Sequence, residues 1–154
     1  MMNSSTKYFS ATHKFVSVAF LLMIVFVIGC GGGKKRVPVA GSITVDGKPA
    51  DGATLLFHPI DSKDAPIGSG SADQNGKFSV VSDLKDGLMA GSYKVSVVWP
   101  DPAVKPTAAQ KMTGLFDPGP DLLKGRFDSQ AKTTLKVDIT SSTKELPPFE
   151  LKTK

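Results

Sequence analysis

Cys30 is the only cysteine in the 154 residues, and it closes the tetrapeptide Val27-Ile28-Gly29-Cys30. A lone thiol cannot form an intrachain disulfide, a redox pair or a thiolate zinc site, but its sulfur can be alkylated. A branched apolar residue three places before a cysteine, with a small residue just before it, is what a signal peptidase accepts once the sulfur carries diacylglycerol; cleavage would fall between Gly29 and Cys30. Other chemistry is sparse. His58 is the one histidine beyond Cys30, so a two-histidine metal site, a two-histidine iron centre and a Cys–His nucleophile pair are excluded. Beside Pro59 and without an evident partner it reads as a structural or surface residue. Asp73-Gln74-Asn75-Gly76, with Asp61 and Asp64 nearby, has the acids of a calcium loop. Calcium wants six to eight oxygens, the distal glutamate of an EF-hand is absent, and a hairpin turn accounts for the residues. No catalytic set, metal site or cofactor is expected.

The segment before Cys30 fits the acylation chemistry. Residues 1 to 14 carry Lys7, Lys14 and the amino terminus with no acid, and Phe15 to Ile28 is an apolar run interrupted only by Ser17 and Ala19. That is a basic n-region followed by an h-region. The run is 14 residues long, short of the roughly 20 needed to cross about 30 Å of hydrocarbon. The chain therefore reads as a bacterial lipoprotein: signal peptide 1–29, acylated Cys30 with a basic tether over 30–36, and a domain over 37–152. Each buried methylene contributes about 0.8 kcal/mol, so the two or three chains of a lipoprotein cysteine anchor stably where one would not. Gly31 occupies the position where some Gram-negative lipoproteins carry an aspartate that retains them at the inner membrane. The outer membrane is the expected location, on either its periplasmic or its surface face.

The net charge of +5 would ordinarily raise nucleic acid as a partner. Its distribution removes that reading. Lys7 and Lys14 lie in the signal, and Lys34, Lys35 and Arg36 lie in the tether, where they can touch anionic headgroups at about 1 kcal/mol each or simply begin a solvated linker. From Val37 onward 14 basic residues face 14 acidic ones.

The elements that must carry these residues are short alternating runs between turn signals, the pattern of an all-β sandwich. Val37, Val39, Ile43 and Val45 share one parity before Asp46-Gly47 turns the chain. Ala53 to Pro59 is a strand, and Ile67–Asp73 is expected to pair with Lys77–Ser82 across a type I′ turn at Asn75-Gly76. Tyr93, Val95, Val97 and Trp99 alternate with Lys94, Ser96 and Val98, as Leu135, Val137 and Ile139 do with Lys136 and Asp138. Phe149 and Leu151 form a last strand, placed at an edge because Pro147-Pro148 removes two donors. Between Pro100 and Ala131 the pattern dissolves among Pro100, Pro102, Pro106, Pro118 and Pro120. Thr107–Met112 there reads as a helical turn, and so long a connection is usually functional or mobile.

Val39-Ala40-Gly41-Ser42-Ile43-Thr44-Val45-Asp46-Gly47-Lys48-Pro49, Ala53-Thr54-Leu55-Leu56-Phe57, Asp73-Gln74-Asn75-Gly76-Lys77-Phe78 and Ala90-Gly91-Ser92-Tyr93-Lys94-Val95 resemble the successive strands of carboxypeptidase regulatory-like domains. Leu123-Lys124-Gly125-Arg126-Phe127-Asp128, Thr134-Leu135-Lys136-Val137 and Phe149-Glu150-Leu151 are similar to the closing part of small bacterial lipoproteins that carry such a domain. The resemblance implies a single seven-stranded Greek-key sandwich of transthyretin-like, immunoglobulin-like type. Its motifs are structural and assign no activity. Hydrolases among the transthyretin-like proteins use several histidines and end in Tyr-Arg-Gly-Ser, whereas this chain ends Leu151-Lys152-Thr153-Lys154. Intradiol dioxygenases need two tyrosines and two histidines on iron; past Cys30 only Tyr93 and His58 are present. Internal Lys–Asn isopeptide bonds are discounted because Asn75, the only asparagine past Cys30, lies in a turn.

These residues lead to a non-enzymatic, lipid-anchored envelope module. A free sheet edge or the Pro100–Ala131 connection would engage an envelope protein, with strand addition as one mode. The alternative is a carbohydrate, cell-wall or small-ligand module built on Trp99 and the 100–131 loop. Trp99 also fits a core-capping role, since it keeps the parity of Tyr93 and Val97.

Overall fold

The computed structural model describes residues 35–62, 64–105, 107–114 and 118–154. The signal, Gly29 and Cys30 lie outside the described residues. Seven strands of three residues or more carry the fold: β2 (Ala40–Val45), β4 (Thr54–Pro59), β5 (Gly68–Ser71), β6 (Lys77–Ser79), β10 (Gly91–Val98), β11 (Lys136–Ile139) and β12 (Phe149–Leu151). Five two-residue pieces join them: β1 (Arg36–Val37), β3 (Lys48–Pro49), β7 (Val81–Ser82), β8 (Lys85–Asp86) and β9 (Leu88–Met89). One sheet runs β11-β10-β4-β5-β7-β8, the other runs β12-β2-β3 with β6 also on β2, and β1 pairs with β9 beside them. The protein is an all-β sandwich with Greek-key crossovers between its sheets.

Period-two alternation drives this arrangement. Leu55 and Phe57 of β4, Tyr93, Val95 and Val97 of β10, and Ile43 and Val45 of β2 are fully buried, while their neighbours Leu56, Lys94 and Thr44 turn outward. Phe57, Phe78 and Phe149 form an aromatic chain through the core, with ring centroids 6.2 and 6.1 Å apart. Gly41 leaves room for a ring: a Cβ there would lie 2.7 Å from Phe78. β12 joins β2 in parallel register at the end of its sheet, which is where the prolines before it placed it.

The turns divide in an instructive way. Asp46 and Gly47 both take positive φ (51° and 77°) between the paired residues Val45 and Lys48, a two-residue hairpin of the I′ kind. At Asn75-Gly76 the expected pairing of Ile67–Asp73 with Lys77–Ser82 holds at Gly68–Ser82 and Ser69–Val81, and the turn type is corrected. Only Gly76 has positive φ, Gly76 N–H donates to the Asp73 carbonyl at 2.8 Å and Asp73 N–H to the Lys77 carbonyl at 2.8 Å, so the loop is the three residues Gln74 to Gly76. Past it β6 pairs with β2 of the other sheet, and the hairpin register resumes where β5 pairs with β7. A type I turn with a left-handed glycine after it accounts for the same residues.

Arg36, read from sequence as the last tether residue, is already the first residue of β1. Its guanidinium donates to the Ser82 carbonyl at 2.8 Å and to the Ser82 hydroxyl, and lies 3.5 Å from the Asp83 carboxylate. The domain therefore begins one residue earlier than alternation indicated.

Candidate functional site

Strand directions give the sandwich two unlike ends. β2 leaves the tether end at Ala40, β4 returns to it at Pro59, and β10 starts there at Gly91 and reaches the far end at Val98, roughly 25 Å away at the usual strand rise. Trp99, Pro100 and the long connection thus lie at the end opposite Arg36.

Trp99 is half-buried and packs against the core. Its indole Nε1–H donates to the Asp51 carbonyl at 3.1 Å, and its backbone N–H donates to Asp121 Oδ1 at 2.9 Å. The ring closes the far end of the core. Beside it lies a cleft of about 380 Å³ lined by Gly52, Thr54, Val98, Pro100, Pro102 and Val104 among others, and Trp99 does not line it. The structure therefore places Trp99 behind the candidate site and brings Pro100, Pro102 and Pro118 into it.

Asp121 organises this end, a role that sequence reasoning missed. Its carboxylate accepts from the backbone N–H groups of Trp99 (2.9 Å), Leu123 (3.0 Å) and Gly125 (2.8 Å), and Pro100 and Asp121 form an isolated bridge. The available signal was Asp121 two residues before an apolar residue and four before Gly125, a pattern in which an aspartate folds the chain back on its own amides. This splits the long connection. Residues from 121 onward are built into the domain: Leu123 is fully buried, Phe127 nearly so, and Val97 N–H donates to the Phe127 carbonyl at 2.7 Å. Between them and Pro100 stands α1 (Ala108–Thr113), the expected helical turn shifted by one residue, with Thr107 as its N-cap. Thr107 and Gln110 form a reciprocal capping box, and Gly114 ends the helix in left-handed conformation. None of its residues is buried, and Met112 is 89% exposed.

The remaining candidates settle into the scaffold. His58 lies within β4, half-buried, with Nε2 2.9 Å from Ser96 Oγ; burial holds its pKa below the usual histidine value. Ser96 is itself buried. The Tyr93 hydroxyl donates to the Met89 carbonyl at 2.9 Å and is pushed up in pKa by burial, so its ring closes the tether end of the core. Asp73 Oδ1 accepts from Asn75 N–H and Lys77 N–H, each at 2.8 Å, and so is occupied within its turn. Among the described residues no group of histidine, cysteine and acidic side chains could hold a metal ion, and no helix is long and apolar enough to cross a membrane.

No protein-family model matches the chain, and no curated protein matches it in sequence. The two ends of the sandwich therefore carry the functional argument by themselves.

Proposed function

We propose that this protein is a lipid-anchored, non-catalytic module of the cell envelope that presents the far end of its sandwich to an envelope protein while acyl chains on Cys30 hold it at the outer membrane. The observation that carries this reading is α1: a helix capped at both ends, none of whose residues is buried, set in the chain between Val104-Lys105 and Pro118, which line the far-end cleft. A six-residue helix is marginal alone, and an exposed methionine is a pliable contact for a partner. Kinship with carboxypeptidase regulatory-like lipoproteins belongs to the same proposal. It is supported by the coincidence of the quoted motifs with β2, β4, β10, β11 and β12.

A photo-crosslinking residue at Met112, introduced in the native acylated protein, is expected to capture one envelope protein in intact cells. Adducts with lipid alone, or none, would remove the interaction reading. Intact mass beside a Cys30→Ala variant tests the anchor: the wild type should begin at an acylated cysteine, and the variant should lose both lipid mass and membrane retention. The far-end cleft also supports a second reading, a small-ligand or cell-wall fragment site. Trp99 N–H shares Asp121 with the loop, so saturable change of Trp99 fluorescence by a glycan would favour it.

A further inference from the structure

The large exposed aliphatic side chains at the tether end share one rim. Phe57, Gly68 and Ser82 form a single row across β4, β5 and β7. Ile60 lies three residues past that row, Ile67 one and Leu84 two, all on the tether side, and they are 45%, 53% and 103% exposed. Adjacent strands are about 4.8 Å apart, so the three occupy neighbouring loop tips. Leu84 is the sharpest case. With Asp83 it forms the two-residue loop between Ser82 and Lys85, at φ +57°, a conformation that suits glycine, asparagine or aspartate and not leucine. Nothing in the packing requires an apolar side chain there.

Arg36 marks where the anchor enters. Its guanidinium is bonded to Ser82 on this same row, and it follows Cys30 by six residues. Extended chain covers at most about 3.6 Å per residue, which keeps this end within roughly 20 Å of an acylated thiol. We infer that Ile60, Ile67 and Leu84 are the bilayer-facing rim of the domain, dipping into the headgroup region of the membrane that holds the acyl chains and fixing the sandwich with its far end outward. The inference rests on the lipid-anchor reading proposed above. The occupant is the bilayer because the tether delivers this rim to it. The seating is apolar in origin, since acids sit among the cations: Asp83 is paired with Arg36, and Asp61 accepts from Ser92 N–H at 3.3 Å.

An acylated Cys30 has no free thiol, so a cysteine introduced in the lipidated protein can be labelled alone. Nitroxides on Leu84→Cys, Ile67→Cys and Met112→Cys would be compared on phosphatidylethanolamine–phosphatidylglycerol vesicles by their collision rates with oxygen and with a water-soluble nickel complex, after intact mass has established the lipid. The ratio of oxygen to nickel collisions should rise several-fold at positions 84 and 67 on binding and stay aqueous at 112. Hydrogen exchange of the unlabelled acylated protein should show the Asp83–Lys85 amides slowed on vesicles and those of Ala108–Thr113 unchanged. Three aqueous labels on a protein of correct lipid mass would overturn the rim and leave the anchor standing. Loss of both collision rates at 84 would mean burial against protein and would also overturn it. A free thiol at Cys30 would remove the anchor, and the rim with it.

Discussion

At the tether end the fold is closed by side chains reaching between strands, Arg36 to Ser82 and Tyr93 to Met89; at the far end it is closed by backbone amides converging on one carboxylate, Asp121. The first construction ties separate strands together, so a fault there spreads through both sheets. The second holds one loop against one edge, and a fault there stays local. The end proposed to bear an anchor and the end proposed to present a loop thus differ in how widely each is wired into the core.

The largest expected effect tests the tether end. Gly87 has φ +86°, and a Cβ on it would run into the Val37 carbonyl where β1 packs on β9. Gly87→Ala should cost about 4 kcal/mol, adding left-handed strain to overpacking, and a urea titration should show one shifted transition for every probe. Asp121→Ala is next, at roughly 2 kcal/mol, because three backbone donors lose a charged acceptor. Its effect should be uneven: Trp99 emission moves to the red at urea concentrations where far-ultraviolet circular dichroism is unchanged. If both variants unfold in a single step at the same midpoint, the contrast between the ends is wrong.

How much of this was legible in the sequence follows from the same contrast. Strands buried on one face write themselves as alternation, and β2, β4, β10, β11 and β12 were all readable because their inward residues Ile43, Leu55, Val95, Ile139 and Phe149 are apolar at every second place. The segment from Asp121 to Thr133 was not, although Leu123 and Thr133 are buried. It follows β10 as irregular backbone, with Val95 N–H donating to the Leu135 carbonyl and Thr133 Oγ1 to the Val95 carbonyl, so its buried residues keep no period. The pairing of β6 with β2 was hidden too, and so was the turn type, because Asn75-Gly76 serves a two-residue and a three-residue loop equally well. Of the candidate surfaces, the proline-rich stretch announced itself by composition. The apolar rim did not, since Ile67 looks like a strand residue until β5 is seen to begin at Gly68, and nothing in the sequence brings Ile60, Ile67 and Leu84 together.

A smaller change should have the opposite sign. Replacing Leu84 by asparagine relieves a left-handed leucine and removes no packing, so Leu84→Asn should stabilise the domain by roughly 0.5–1 kcal/mol. The same variant should seat less deeply on vesicles. Stability and seating moving in opposite directions would mean that leucine is kept at this tip for the surface it touches. A loss of stability would show that Leu84 packs in solution after all, and the two ends would be less different than their construction indicates.

The smallest effect belongs to His58, which bonds Ser96 and takes part in neither the Arg36–Ser82 contact nor the Asp121 cluster, so it should report on neither. Burial lowers its folded pKa below the unfolded value near 6.5, so the native state prefers the neutral ring. The unfolded chain then binds more protons over the interval between the two pKa values, and stability rises with pH there. The contribution is complete above pH 6.5 and is lost as pH falls from 6.5 through the folded pKa. Exposed carboxylates such as Asp46 and Asp128, both lowered in pKa by their hydrogen bonds, titrate below this range. Comparing urea midpoints at pH 7.5 and 5.5, the wild type should lose slightly more stability than His58→Gln, whose amide can still bond Ser96. An equal loss in both would place the pH dependence elsewhere, and a larger loss in the variant would mean that the charged ring is the favoured form beside Ser96, reversing the role that burial assigns to it.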